Sequence, residues 1–208
     1  MGYHRAGFDV VGVDIENRAR YPFEFIQADA IDYVRAHGHE FDAIHASPPC
    51  QPFSISKHTH SVQHPDFLEA TRDALIASGK PYVIENVVGA PMVDPLLLCG
   101  SMFGLRATDL DGEELELRRH RLFESNVFLM APGTCNHSDR LVGGVYLGGP
   151  MQRDKTDKRG GYTPKRTVQA ELMGIDWASG YGLTRAIPPA YTEWIGGQLL
   201  DGLVERAA

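Results

Sequence analysis

The chain has 208 residues, of which 43% are hydrophobic and 23% charged, and its formal net charge is -7. This length and composition are typical of one globular domain with a substantial core, with room for a small appendage. No run of about 18 apolar residues is present, which excludes a membrane-spanning helix. Three sparse cysteines at positions 50, 99 and 135 and the lack of a signal sequence exclude a secreted disulfide scaffold, so we expect a cytoplasmic protein.

Apolar, β-branched runs, each followed by a loop, recur along the first half of the chain. We predict helices near 30–37 and 66–78, and strands in "FDVVGVD" (8–14), "FEFIQAD" (23–29), "FDAIHAS" (41–47) and "PYVIENV" (81–87). Strands that alternate with helices predict an α/β fold with a mostly parallel, doubly wound sheet. In such sheets, ligands bind beyond the carboxyl ends of the strands.

Polar residues follow these runs, where the strands should end: Asp14, Glu16, Asp29, Cys50 and Glu85. Asp14 alone is equally well explained as a helix cap or a turn former. Together with Asp29 at the next strand end, it favours a nucleoside site, because a carboxylate can accept both ribose hydroxyls. Glu85 closes the apolar run "YVI". Burying a carboxylate there costs free energy unless it has a partner of opposite charge or takes part in binding or catalysis, so we interpret Glu85 as functional.

Cys50 stands in "HASPPCQPFS", directly after two prolines. Packing in the core is the default interpretation of a lone cysteine. Pro48 and Pro49 have no N–H and interrupt a regular element where the thiol is presented, so that default fits poorly here. The stretch indicates a thiol placed for chemistry.

The other two cysteines, Cys99 and Cys135, together with His137 resemble half of a metal site. Zinc sites are commonly built from two close pairs of ligands, and no second close pair is present in the sequence. The sequence therefore predicts no metal.

Charge is distributed unevenly along the chain. Residues 153–166 contain six Lys or Arg and two Asp, "RRHR" at 118–121 is a second basic cluster, and acidic residues collect at 109–116. The negative total argues mildly against a nucleic-acid partner, but the distribution matters more than the sum. The two basic segments are candidates for nucleic-acid contacts.

Several of these stretches resemble, in the right order, the motifs of DNA (cytosine-5)-methyltransferases. "PPCQPFS" resembles the nucleophile motif, "ENV" at 85–87 the base-holding motif, and "RRHRLFES" at 118–125 the arginine motif. "AGFDVVGVDIE" and "QADAID" resemble the second and third motifs, and "RTVQAELMGI" and "AIPPAYTEWIG" the last two. The resemblance covers most of residues 2–200.

This resemblance implies a Rossmann-like class I S-adenosylmethionine-dependent methyltransferase fold and methylation of cytosine at C5. Cytosine C5 is a poor nucleophile, so Cys50 would first add to C6 as a thiolate. Protonated Glu85 would donate to N3, and Arg119 and Arg121 would orient the base and support charge. Because the target carbon lies inside a duplex stack, the base must be flipped out, or the DNA must be single-stranded.

The same resemblance implies which residues bind the methyl donor and the cytosine. We expect the enzyme to be a monomer. S-adenosylmethionine would lie with its ribose at Asp14 and its adenine amine at Asp29, beside Ile15, Ala30 and Pro49. The cytosine substrate would contact four further residues: Gln51, Ser54, Asn86 and Arg118.

The chain departs from the family pattern in three places. It opens with "MGYHRAGF", without the first Gly-rich motif, so we expect an internal start codon or a trimmed sequence and a sheet that lacks its first strand. Arg185 stands where the final motif usually has an asparagine. Only 40 residues separate the arginine motif from the penultimate motif, too few for the large target-recognition domain of restriction-modification enzymes.

We therefore divide the chain into a catalytic core (1–125), a short basic segment in place of a recognition domain (126–162), and C-terminal motifs that complete the core (163–208). Two alternatives remain open. One is a truncated, inactive homologue that binds nucleic acid through 153–166. The other is an RNA cytosine-5 methyltransferase of the same fold.

Overall fold

The computed structural model describes residues 1–51, 53, 66–137, 139–147 and 162–207. Its helices are α1 (Gly2–Arg5), α2 (Ala30–His37), α3 (Leu68–Ser78), α4 (Arg166–Met173), α5 (Gly180–Arg185) and α6 (Pro189–Ala207). Its strands are β1 (Val11–Asp14), β2 (Glu24–Gln27), β3 (Ile44–Ala46), β4 (Tyr82–Asn86), β5 (Leu96–Leu98), β6 (Arg106–Thr108), β7 (Glu114–Glu116), β8 (Arg121–Ser125) and β9 (Leu141–Val142).

Local sequence signals explain where several helices begin and end. The Asp29 side chain accepts hydrogen bonds from the N–H groups of Ile31 and Asp32 and so caps α2. Gly79 ends α3 with a φ of 68°, a left-handed conformation that favours glycine. Pro189 is the first residue of α6, where its missing N–H costs nothing.

Within the described residues, the strands form three sheets. β1 and β2 pair in parallel, with Asp14 opposite Gln27. A four-stranded sheet has the order β3–β4–β8–β5, in which β3 is parallel and β8 antiparallel to β4. In the third sheet, β7 pairs antiparallel with β6 and parallel with β9.

The chain divides into two compact units whose segments alternate along the sequence. The first unit contains Met1–Ala6, Leu98–Arg119 and Ala131–Gly196, and the second contains Gly7–Leu97, His120–Met130 and Gly197–Ala208. The core of the first unit is built from Ala107, Leu115, Leu117, Val145, Val168, Leu172, Met173, Ile175 and Leu183. In the second unit, a core cluster contains Leu68, Leu75, Tyr82, Ile84 and Ala90.

The predicted α/β class is confirmed. All four predicted strands are present as β1 to β4, helix α2 covers the predicted 30–37, and α3 covers 68–78. The pairs β1–β2 and β3–β4 are parallel as predicted, but antiparallel β8 and the sheet of β6, β7 and β9 make the sheets mixed rather than mostly parallel. No described helix is long and apolar enough to cross a membrane.

Candidate active site

Cys50 lies in the loop that follows β3. The strand ends at Ala46, Pro48 is buried, and Pro49 is exposed. Because neither proline can donate a ladder hydrogen bond, the chain leaves the sheet here, and the Phe53 N–H then donates to the Cys50 carbonyl at 3.0 Å. The Cys50 thiol is partly buried and forms no disulfide.

Asn86 fixes this loop from the end of β4. Its Nδ2 donates to the Pro48 carbonyl at 3.3 Å, and its Oδ1 accepts the Val87 N–H at 2.9 Å. Asn86 is only 1% exposed, so water does not compete for these bonds. The residue predicted to contact substrate is thus also a residue that positions the Cys50 loop.

The buried side-chain oxygen of Gln51, next to Cys50, has no hydrogen-bond partner among the described residues. An unsatisfied buried acceptor costs about 1–3 kcal/mol, and such an atom is accounted for if a bound group donates to it. The role of Gln51 in substrate binding stays a prediction. Ser54, another predicted substrate residue, lies outside the described residues.

Glu85 and Arg121 form an ion pair at one edge of the four-stranded sheet. Arg121 Nε lies 2.9 Å from Glu85 Oε1, and the side chains are 18% and 10% exposed, respectively. Strands β3 and β4 are parallel, so their carboxyl ends share an edge, and antiparallel β8 begins at that edge with Arg121. The topology therefore brings the Cys50 loop, Glu85 and Arg121 to the same end of the sheet.

Arg118 and Arg119 belong to the first unit, where both make structural contacts. Arg118 Nε donates to Oε1 of buried Glu116 at 2.7 Å. Arg119 Nη2 donates to the Thr184 carbonyl, and the Arg119 carbonyl accepts the Tyr191 hydroxyl at 2.7 Å. The two Arg119 bonds tie this residue to α5 and to the start of α6, and the Arg118 bond ties its side chain to β7. The catalytic role of Arg119 and the substrate role of Arg118 stay predictions.

Asp14, at the end of β1, is engaged by a neighbouring arginine. Its Oδ2 lies 2.9 Å from Arg18 Nε and 2.8 Å from Arg18 Nη2, and its Oδ1 accepts the Glu16 N–H at 2.9 Å. A ribose at Asp14 would therefore have to displace Arg18. The adjacent Ile15 is 67% exposed and offers an apolar surface to a planar ring.

Asp29 follows β2 at the same edge of the β1–β2 pair. Its Oδ1 accepts the N–H groups of Ile31 and Asp32 at 2.9 and 3.0 Å, so the cap function considered for Asp14 is found at Asp29 instead. Its Oδ2 has no partner within the described part of the chain and can accept a donor such as an amine. Ala30, the first residue of α2, is exposed beside it.

His45 is a residue of this region that the sequence analysis did not single out. It lies on β3, and its Nε2 is 3.1 Å from the Ser47 hydroxyl. Burial lowers the pKa of His45 to about 4, so the imidazole is neutral near neutral pH. The available signal was a histidine inside the otherwise apolar run "FDAIHA".

The structure also brings together the three side chains that the sequence analysis set aside as half a metal site. Cys99 and Cys135 are 36 positions apart, yet both sulfurs lie close to His137 Nε2, at 3.5 and 3.1 Å. Burial and the nearby Cys99 thiol raise the pKa of Cys135, although Ser101 and Arg118 act in the opposite direction. The sequence analysis had named these three side chains but could not show that they meet in the fold, and the cluster lies in the first unit.

Comparison with known proteins gives no family assignment. No family model matches the chain. No curated protein matches it either. The function of the chain therefore has to be inferred from its motifs and from the geometry above.

Proposed function

We propose that the chain is a DNA cytosine-5 methyltransferase that uses S-adenosylmethionine. The observation that carries the proposal is the meeting of the Cys50 loop, Glu85 and Arg121 at one edge of a single sheet. A thiol on a loop shaped by prolines supplies a nucleophile, and a buried carboxylate and guanidinium beside it can recognise the polar edge of a planar base. The order of the motifs along the sequence supports the same function.

Cytosine C5 becomes reactive only after a nucleophile adds to C6. The Cys50 thiolate forms the bond to C6, and the ring electrons move towards C5 while N3 holds a proton. Glu85 is suited to share that proton, but its ion pair with Arg121 favours the charged carboxylate. We therefore expect the proton to enter the site together with the base. After the methyl group has been transferred to C5, a water molecule takes the C5 proton, the C6–S bond breaks, and Cys50 leaves as a thiolate, which restores the aromatic ring.

Other residues of the loop support this chemistry by positioning. Asn86 holds the Pro48 carbonyl and so sets the path of the chain into Cys50. The buried oxygen of Gln51 can accept a hydrogen bond from the base or from its sugar. Precise placement of the thiol against C6 converts a slow encounter into a reaction within the complex.

The edge of the β1–β2 pair suits the adenosine part of the methyl donor. S-adenosylmethionine, when bound, supplies a methyl group on a sulfonium. Asp29 offers Oδ2 to the adenine amine, Ile15 offers an exposed apolar face, and Asp14 can accept ribose hydroxyls once Arg18 moves aside. Exposed Ala30 and Pro49 have the accessibility that their predicted roles require.

We further propose that the β1–β2 pair and the four-stranded sheet are two parts of a Rossmann-like methyltransferase sheet. Among the described strands, β1 pairs only with β2, and β3 pairs only with β4. Each therefore has one open edge, and strands with an open edge accept a further strand. One strand between β1 and β3 would give a continuous sheet in the order β2–β1–inserted strand–β3–β4–β8–β5.

Transfer of a labelled methyl group from S-adenosylmethionine tests the function. Duplex DNA, single-stranded DNA and RNA are offered separately, and digestion to nucleosides identifies the labelled atom. We expect 5-methylcytosine in DNA from the wild-type chain and none from Cys50→Ser. Labelling of RNA alone would favour the RNA methyltransferase, and DNA binding without any labelling would favour the inactive homologue.

A further inference from the structure

Outside the candidate active site, the first unit holds three metal-ligating side chains in a small volume. The ligand atoms of Cys99, Cys135 and His137 all lie within 4.8 Å of one another. Two sulfurs and an imidazole nitrogen form a soft donor set. Such a set binds zinc in preference to magnesium or calcium. The three residues share no role in the chemistry proposed for Cys50.

One of the two sulfur–nitrogen distances in this cluster matches the distance that tetrahedral zinc imposes, and the other is slightly shorter. With Zn–S near 2.3 Å and Zn–N near 2.0–2.1 Å, a sulfur and a nitrogen ligand lie about 3.6 Å apart. The distance from Cys99 Sγ to His137 Nε2 is 3.5 Å and needs no change. The distance from Cys135 Sγ to His137 Nε2 is 3.1 Å, and both side chains are exposed, so a small rotation brings them to the required separation.

The surroundings of the cluster also suit a structural ion. Cys99 is fully buried at the start of the 3-10 turn Gly100–Phe103, and the Ser101 hydroxyl donates to its sulfur at 3.2 Å, as outer contacts to thiolate ligands do. Cys135 and His137 lie in the stretch 131–137, which forms neither helix nor strand. An ion bound by all three residues would hold that stretch against the core of the unit.

We propose that Cys99, Cys135 and His137 bind a structural zinc ion in the first unit. Structural zinc sites have four protein ligands. The fourth position of the tetrahedron is then taken by a further donor beyond these three residues. The proposal is independent of the methyltransferase function, since zinc here would stabilise the fold.

The zinc content of the full chain tests the proposal. The protein is expressed in zinc-containing medium, purified without chelators and analysed by mass spectrometry of its metals, with one zinc ion per chain as the expected result. Cys135→Ser and His137→Ala change exposed residues and are expected to lower zinc occupancy at least about tenfold. Cys50→Ser is the matched control, because it makes the same change at a cysteine outside the cluster, and it should retain its zinc.

Cobalt(II) added to metal-free wild-type protein provides a readout that does not depend on the folding of any variant. We expect the visible absorption of tetrahedral thiolate coordination, and zinc should remove it. A wild-type chain that carries less than about a tenth of a zinc ion and gives no cobalt spectrum would overturn the proposal. Full zinc content in both Cys135→Ser and His137→Ala would also overturn it.

Discussion

Glu85 and Glu124 are two buried glutamates of one sheet, each paired with an arginine, and they are expected to differ in function. Glu85 lies at the edge beside the Cys50 loop, whereas Glu124 pairs with Arg72 of α3. We expect Glu85→Gln to slow single-turnover methylation at least about a hundredfold while the domain stays folded, because the amide cannot exchange the N3 proton.

Glu124→Gln is the control for that experiment. It makes the same change to a buried, arginine-paired carboxylate that has no part in the proposed chemistry. Its rate per folded molecule should stay within a few-fold of the wild type, and its melting temperature should fall. Near-normal methylation by Glu85→Gln would remove Glu85 from the chemistry.

His45 makes the stability of the chain depend on pH. The folded state holds the pKa of His45 near 4 by burial, whereas an unfolded histidine titrates near about 6.5. Below that pH the unfolded state binds a proton that the folded state does not. The contribution of His45 to the free energy of unfolding is therefore fully present above about pH 6.5 and declines as the pH falls towards 4. His45→Gln should flatten this decline in urea unfolding curves, and the same change at exposed His39 should not. An equal slope in the wild type and His45→Gln would contradict this account.

At the scale of elements, the pair of Arg72 and Glu124 links α3 to β8 and to the loop that follows β4. Arg72 donates to both carboxylate oxygens at 2.6 and 2.9 Å, and the Val93 N–H donates to Oε2 at 2.8 Å. Burial alone would raise the pKa of Glu124, but the Arg72 hydrogen bonds, the Val93 N–H and the Arg72 charge outweigh it and lower the pKa. The carboxylate therefore stays charged in the folded state.

Removing one member of this pair should destabilise the second unit strongly. Arg72→Met is expected to cost about 3–5 kcal/mol in the free energy of unfolding, because it leaves the Glu124 charge buried without its partner. Arg72→Met combined with Glu124→Leu removes both charges and should recover much of that loss. Urea unfolding near neutral pH measures both variants. A double variant less stable than Arg72→Met would contradict this explanation. It would show that the loss in the free energy of unfolding comes from removing the ion pair and not from leaving the Glu124 charge without a partner.

Elements with strong local signals were predictable from sequence, and those defined by distant partners were not. β1 to β4 are apolar, β-branched runs with polar ends, and α2 begins at its capping Asp29. β6, β7 and β9 have two or three residues each, too few for any periodicity to show. Their pairing depends on tertiary contacts.

The candidate site divides in the same way. Cys50 and Glu85 were marked by local context, a double proline and the end of an apolar run. That Arg121 is the arginine paired with Glu85 depends on the antiparallel register of β8, which the basic cluster does not encode locally. The engagement of Asp14 by Arg18 was likewise hidden, because the "DIENR" stretch does not fix side-chain rotamers.

At the scale of the whole molecule, a net charge of -7 requires a local concentration of basic residues for DNA binding. The basic segment 153–166 is the candidate, although residues 153–161 lie outside the described part of the chain. Replacing Arg153, Lys155 and Lys158 with glutamine should weaken binding to duplex DNA. It should also reduce the slope of log affinity against log salt by about 0.9 for each DNA phosphate that is no longer neutralised.

Fluorescence anisotropy over a series of salt concentrations measures this slope. Lys80→Gln is the control, because it removes a positive charge outside the basic clusters. An unchanged slope in the triple variant would show that DNA binds elsewhere on the chain.

Formation of a covalent bond between Cys50 and cytosine C6 is the central claim, and trapping tests it most directly. The wild-type chain is incubated with S-adenosylmethionine and DNA that contains 5-fluorocytosine, in which the fluorine at C5 blocks the final elimination. We predict a complex that survives denaturation and maps by peptide mass to Cys50, and no complex with Cys50→Ser. Absence of the adduct under conditions in which an active cytosine-5 methyltransferase forms one, or an adduct at another residue, would contradict the account.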